Sequence, residues 1–269
     1  MVLLFVILTV LTLIPLVGIV LASLRDIGDI MKYGISFNID KSISFKNFLE
    51  NYKVIFTDKR YFTWFFNSLI ITAVQTVLTL FISAFVGYGF AMYDFKFKNA
   101  LFICVLFVMM VPLEIIMLPL FQLVSKLGII NTMWGIILPS VAGPLPIFFF
   151  RQYLRGIPRD FLDAARVDGC SEFGIFFKII MPLMKPSFAA MGIFVGMNSW
   201  NNYLWPLIVL RENSKLTLPI GLGSLLALHG DDYRLLITGA VFSIIPIIIL
   251  FLCFQKQFIA GMTAGGVKG

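Results

Sequence analysis

Charge is what this sequence has least of. Asp, Glu, Lys and Arg make up 13% of its 269 residues, about half of the roughly 25% usual in soluble domains. So few charges cannot cover the surface of a soluble fold this long, which excludes an ordinary soluble enzyme. Disorder is excluded too, because it requires low hydrophobicity and high net charge. Histidine occurs once, at position 229, and the three cysteines, at 104, 170 and 253, share no CxxC spacing. That pattern points to no metal centre and no disulfide framework. One His and one Glu in an apolar run also make no acid–base constellation. Nor is there a GxxxxGK[ST] run to cradle nucleotide phosphates, so any ATP is expected to be hydrolysed elsewhere.

What the chain has instead is apolar length. Ala, Val, Ile, Leu, Met, Phe, Trp, Tyr and Cys supply 59% of it, including 29 Phe. A helix needs about 20 apolar residues to cross a hydrocarbon core, and six stretches qualify: 1–24, 67–92, 100–125, 127–150, 186–210 and 235–255. Backbone groups in lipid must be paired internally, so each is expected to be a helix despite its Pro and Gly. The fold class is therefore all-α, a polytopic membrane protein with six transmembrane helices. YFTWFF, ahead of Asn67, reads as an interfacial aromatic segment. The first stretch has no basic n-region and exceeds a signal-peptide core, so it reads as an uncleaved span. Its lack of any preceding charge points to a true start slightly upstream.

The net charge of +7 fits loops facing the anionic headgroups of a lipid bilayer, and no nucleic-acid partner is expected. Six spans place both termini on one side. The loops on that side carry ten of the 21 Lys and Arg and those on the other carry eleven, so basic residues alone do not choose the orientation.

The loop 151–185 is the most informative stretch. Its pattern predicts two short helices on the membrane surface. Pro158 suits the start of the first. Asp168-Gly169 is a turn dipeptide with Gly169 placed for a left-handed cap. Ser171 can cap the second helix, with Glu172 at its positive end. Pro182 is expected to end that helix, and Pro186 to open the fifth span. Ala164 and Ala165 together leave one face of the first helix low and smooth, suited to a groove on a partner protein.

Asp163-Ala164-Ala165, followed at fixed spacing by Gly169, Ile179 and Met181-Pro182, resembles the EAA motif of ABC importer membrane subunits. Asp163 stands where that family has Glu, and Met181 where it has Leu. Further similarities cover most of the chain after Tyr61: Asn67-Ser68, Pro112, Pro119, LGIINT (127–132), WNNYLWPL (200–207), TLPIGL (217–222) and the tail GMTAGGVKG (261–269). The tail resembles the carbohydrate, maltose-type (MalG-like) permeases.

The resemblance implies a single importer transmembrane domain over 1–269, with residues 151–185 forming a cytoplasmic coupling-helix loop between spans 4 and 5. Asp163, Ala164, Ala165, Asp168, Gly169, Ile179 and Pro182 are then its ATPase-coupling residues. Both termini are expected in the cytoplasm, in a bacterial or archaeal plasma membrane. The implied partners are a second, homologous permease, a cytoplasmic ATPase dimer and an extracytoplasmic solute-binding protein. ATP and Mg would sit on the ATPase, with no cofactor in this chain and no enzymatic role for it. The expected cargo is a sugar or oligosaccharide. An importer for another small solute, or a secondary transporter driven by an ion gradient, are the rival readings.

Two polar groups interrupt the spans. Glu114 is an ionisable residue inside a span, a functional-site candidate by default because such burial is costly. A position near an inter-subunit surface or at the hydrated end of a half-helix is the favoured reading over a proton relay. A relay needs several titratable groups where the spans hold no other. Asn198, Trp200, Asn201, Asn202 and Tyr203 combine amides and aromatic rings near a span's middle, a mixture suited to a sugar path. The same residues also fit an interfacial belt and interhelical hydrogen bonding. By resemblance the outer loop 211–234, whose apolar run LTLPIGLGSLLALHG is too short to span, faces the binding protein, and His229 in it reads as solvated. The loop 25–60, with Tyr33 and Phe45, is a second candidate docking surface.

Overall fold

The computed structural model describes residues 1–26, 28, 44–226 and 233–266. His229, Tyr33 and the last residues of the tail lie outside them. The described residues are helical: α1 (Val2–Ser23), α2 (Phe45–Thr57), α3 (Lys59–Met92), α4 (Lys98–Met109), α5 (Leu113–Lys126), α6 (Met133–Ile137, tightening into Leu138–Ser140), α7 (Pro144–Leu154), α8 (Asp160–Val167), α9 (Glu172–Leu183), α10 (Lys185–Trp200), α11 (Leu204–Val209), α12 (Leu218–Leu225), α13 (Tyr233–Phe242) and α14 (Ile244–Gly266). They form two compact units, Met1–Ser68 with Glu212–Ile248, and Leu69–Arg211 with Ile249–Gly269.

Among the described residues three segments, Val2–Ser23, Lys59–Met92 and Tyr233–Lys256, are long and apolar enough to cross a membrane as they stand; three bent helix pairs also pass, as broken spans or re-entrant loops, for up to six in all. The sequence therefore located the apolar stretches but not their breaks. Residues 100–125 do not form one straight helix: α4 and α5 meet at 104°. Pro112 lacks an N–H and forces the residue before it out of helical geometry, whereas Pro119 stays inside α5. Residues 127–150 begin with a non-helical turn, bend by 42° before Pro144 and continue to Leu154. Residues 186–210 stop being helical at Asn201 and resume at Leu204. The segment YFTWFF is not separate from its span, because α3 is continuous from Lys59.

In the first unit, α2 caps the end of α1. Buried Asn51 donates Nδ2 to the carbonyls of Ser23 (2.9 Å) and Arg25 (2.7 Å). Within the 25–60 loop, residues Phe45–Thr57 thus form a helix packed on α1, with Leu49 and Phe56 still exposed. Residues 218–225, expected in an exposed loop, form a buried helix, because Leu218, Ile220, Leu222 and Leu225 all turn inward. Asn67 and Ser68 seat it: Asn67 Nδ2 donates to the carbonyls of Ser214 and Leu216, and Ser68 Oγ accepts from the Leu218 N–H at 2.8 Å.

In the second unit, LGIINT is a clasp. Gly128 and Asn131 take positive φ (69° and 59°). Thr132 Oγ1 accepts the Gly135 N–H, and the Asn131 N–H reaches the Val209 carbonyl at 3.0 Å. Trp205 Nε1 donates to the Gly135 carbonyl at 3.1 Å.

Candidate functional site

The first turn-and-helix pair forms as its sequence dictates. At the end of α8, Gly169 adopts φ +75°, a conformation that a Cβ would strain. The Gly169 N–H bonds to the Arg166 carbonyl and the Cys170 N–H to that of Ala165, a Schellman closure. Ser171 Oγ then accepts the Gly174 N–H and opens α9. Pro182 does not end α9. Residues Phe176–Ile180 widen into a π-turn in which the Met181 N–H reaches back five residues to Phe176. The helix passes through Pro182 and breaks at Met184, turning 78° into α10.

The paired alanines divide between two environments. Successive helical residues point about 100° apart, so Leu162 and Ala165 face inward at 2% and 3% exposure while Ala164 faces out. The smooth face therefore includes Ala164 but not Ala165. Ala165 belongs to a core with Tyr88, Phe150, Leu154, Phe176 and Ile180, and Ile179 packs against its edge. That core fixes α8 to the ends of α3 and α7. Gly87 allows the close approach, since a Cβ there would lie 2.9 Å from the Arg151 nitrogen. Asp160, Asp163, Ala164 and Asp168 remain exposed, and Pro182 lines an apolar groove with Leu80 and Leu250.

A charged clamp spans the turn. Arg166 binds Asp163 at 3.2 Å and Glu172 at 2.8 Å, and the Tyr93 hydroxyl donates to Glu172. Asp163, one methylene shorter than the usual Glu, is thus partnered within its own helix. The Arg166 hydrogen bond, with that of Tyr93, holds the Glu172 carboxyl below its ordinary value of 4.5. The same pairing raises Arg166. A depressed carboxyl contributes stability above its unfolded pKa and loses it as pH falls through the folded value. Melting temperature should therefore fall more in the native chain than in Glu172→Gln as the solution is acidified below the ordinary carboxylate range. Parallel pH curves for the two would contradict the clamp.

Away from this loop, an open cleft of about 740 Å³ gathers Asn198, Asn201, Asn202 and Tyr203, four of the five candidate path residues. Trp200 is instead buried at 5% exposure. Irregular backbone at membrane depth is tolerated where it lines a cavity, and here the break 201–203 does so. Asn198 and Asn201 each donate Nδ2 to the carbonyl four residues back, at 2.8 and 2.9 Å. Gln75 and Ser140 also line the cleft, and Gln75 Oε1 accepts from buried Ser199 at 3.0 Å. These were missed, although an amide in the middle of an apolar run is a visible signal. Glu114 is exposed in the first turn of α5, the half-helix end that was one of its two readings. Cys104, Cys170 and Cys253 are free and exposed; Cys170 lies in the charged loop, and Cys104 and Cys253, although in apolar runs, are not buried.

Comparison with known proteins adds identity to this geometry. The family model described as "binding-protein-dependent transport system inner membrane component" matches residues 79–263. The chain is 54% identical to the arabinooligosaccharides transport system permease protein AraQ of Bacillus subtilis (strain 168), covering 98% of this chain and 94% of the relative. It is 40% identical to the lactose transport system permease protein LacG of Rhizobium radiobacter, covering 76% and 74%. Among solved structures, a chain of a bacterial ABC transporter involved in the import of the acidic polysaccharide alginate superposes with a TM-score of 0.81 at 25% identity, covering 95% and 94%. This chain belongs to the family of binding-protein-dependent transport system inner membrane components, the membrane-spanning permease subunits of ABC importers.

Proposed function

We propose that this chain carries a sugar or oligosaccharide across the plasma membrane of a bacterium or archaeon, as one of two homologous permeases driven by a cytoplasmic ATPase dimer. An extracytoplasmic binding protein delivers the cargo. ATP and Mg are bound and used on the ATPase subunits. The loop 151–185 and both termini lie on the cytoplasmic side.

The observation that carries the reading is the two-faced helix α8. One face is anchored in the core through Leu162 and Ala165, and the other offers Asp160, Asp163 and Ala164 to a partner. A helix held this firmly moves α3 and α7 when it is moved, which is what transmitting ATPase closure requires. The cleft with Asn198, Asn201, Asn202 and Tyr203 supplies amide hydrogen bonds and an exposed ring for a polyol. The similarity to permeases named for arabinooligosaccharides and lactose favours a carbohydrate.

The test is ATP-dependent uptake by the assembled transporter in vesicles, across arabinooligosaccharides, lactose and an amino acid. Arabinooligosaccharide uptake that stops when the ATPase is inactivated is expected. Uptake that ignores the ATPase but collapses with an uncoupler would instead establish an ion-driven carrier. Asn201→Ala and Asn202→Ala should each raise the half-saturating sugar concentration about fivefold, the worth of one hydrogen bond. If both merely lower the melting temperature and leave that concentration alone, the asparagines hold helices together and do not touch sugar.

A further inference from the structure

A second pocket, of about 500 Å³, lies where the end of α3, the start of α4 and the end of α7 meet. Four cations line it: Lys98, the first residue of α4, Arg151 in the last turn of α7, Arg155 just beyond, and Arg159 ahead of α8. Asp94 is the one carboxylate among the lining residues, and it is shared. Its Oδ1 lies 3.0 Å from Lys98 Nζ and its Oδ2 lies 3.1 Å from Arg159 Nη1. Lys98 also donates to the Tyr93 carbonyl at 2.6 Å. One negative charge thus serves two cations, and Arg151 and Arg155 make no ion pair among the described residues.

Arg151 and Lys98 are half-buried, Arg155 and Arg159 exposed. The guanidinium carbon of Arg151 stands 3.7 Å from the ring centroid of Phe102, and its Nε is buried without an acceptor. The ring attracts the charge but accepts no N–H in the plane of the guanidinium. A buried donor left unpaired in this way is costly, and Asp94, the one carboxylate lining the pocket, is engaged with Lys98 and Arg159 instead. Planar guanidinium groups match phosphate oxygens with two parallel N–H bonds.

The setting distinguishes lipid phosphate from an acidic protein side chain. The cations sit at the ends of apolar helices, and the outer wall continues into exposed hydrophobic surface, with Phe97 67% exposed and Leu101 50% exposed. Charge at the helix ends above an exposed apolar flank reproduces the headgroup–acyl boundary of a bilayer.

We propose that this pocket binds the phosphate of an anionic phospholipid headgroup, with Arg151 and Arg155 as its ligands, Lys98 and Arg159 flanking it, and the acyl chains running past Phe97 and Leu101. The proposal needs only that this end of the helices meets a membrane surface, whichever leaflet that is, so it does not stand or fall with the transported solute. It also places a lipid beside Arg159, the residue that leads into α8.

The test is native mass spectrometry of the intact transporter, assembled with its partner subunits and exchanged into vesicles of phosphatidylglycerol and phosphatidylcholine. Phosphatidylglycerol retained on this chain, with phosphatidylcholine lost, is expected. Arg155 is exposed, so Arg155→Gln should fold normally and bind phosphatidylglycerol about fivefold more weakly. Arg151→Lys keeps the charge but not the two-pronged donor and should also weaken retention. Lys178→Gln, an exposed cation of the same loop outside the pocket, should change nothing. Equal losses in Lys178→Gln and Arg155→Gln would mean diffuse surface attraction and overturn the site. So would Arg155→Gln retaining lipid like the native chain while shedding the ATPase, because the pocket would then be a protein contact. Inorganic phosphate bound by protein that retains no phosphatidylglycerol would overturn the lipid assignment as well.

Discussion

Replacing Gly221 by alanine is expected to lower the melting temperature of the detergent-solubilised protein by on the order of 6–12 °C, corresponding to overpacking of about 3 kcal/mol. A Cβ at 221 would stand 2.1 Å from Cδ2 and 2.2 Å from Cε3 of Trp64. The indole is 1% exposed and is held at its far edge, where Nε1 donates to the Asn213 carbonyl at 3.0 Å and to its Oδ1 at 2.9 Å. Nor is α12 free to retreat, since Asn67 and Ser68 bind the backbone of Ser214, Leu216 and Leu218. Neither ring nor helix can give way cheaply. Gly89, also on α3, has open space where its Cβ would be, so Gly89→Ala should leave melting unchanged or raise it slightly, by the helix preference of alanine. Combining Gly221→Ala with Trp64→Leu should recover part of the loss, and the double-mutant cycle measures the coupling. A Gly221→Ala protein that melts with the native one would mean that Trp64 does not lie against α12.

The contrast between Gly221 and Gly89 marks what the sequence could reveal. Apolar length is additive along the chain, so the six stretches, the charged loop between the fourth and fifth, and the cap residues Gly169 and Ser171 were all legible. Breaks are not additive. Pro112 and Pro119 look alike in sequence, yet one separates α4 from α5 and the other lies within α5. Which proline breaks a helix depends on whether neighbours can satisfy the freed carbonyl. The 218–225 segment is too short to cross a bilayer, so its sequence suggests exposed loop. Thr217 followed by Pro219 is nevertheless a helix-start signal, and Ile220, Leu222 and Leu225 supply the buried side. The basic pocket was hidden for another reason: two spans separate Lys98 from Arg151 in the chain, and only the fold brings them together. The asparagines that line the cleft are conspicuous as amides in an apolar run, whereas the burial of Trp200 beside them is not readable from composition. Helical phase turns Trp200 into the core while Asn201 and Asn202 leave the helix altogether.

Phase also decides the second large effect, because neighbouring alanines 164 and 165 should fail in opposite ways when each becomes leucine. At 165 the added carbons enter the buried cluster that includes Tyr88, Phe150, Leu154 and Phe176. Overpacking there costs about 1–3 kcal/mol. Ala165→Leu should lower the melting temperature by roughly 3–10 °C and release α8 from the core, so that susceptibility of residues 160–170 to protease rises together with the loss of transport. Ala164 faces outward, and leucine is itself a strong helix former. Ala164→Leu should therefore melt within about 2 °C of the native protein, since surface changes are usually within ±0.5 kcal/mol. The proposed coupling role predicts that its transport nonetheless falls on the order of tenfold or more, because the added bulk would block a close-fitting contact with the ATPase. Copurification of the ATPase separates the two mechanisms. Ala164→Leu should weaken it with the chain intact, whereas Ala165→Leu should weaken it only as α8 unfolds. A stable, fully transporting Ala164→Leu protein would remove the outer face of α8 from the coupling contact and leave its inner face as structure alone.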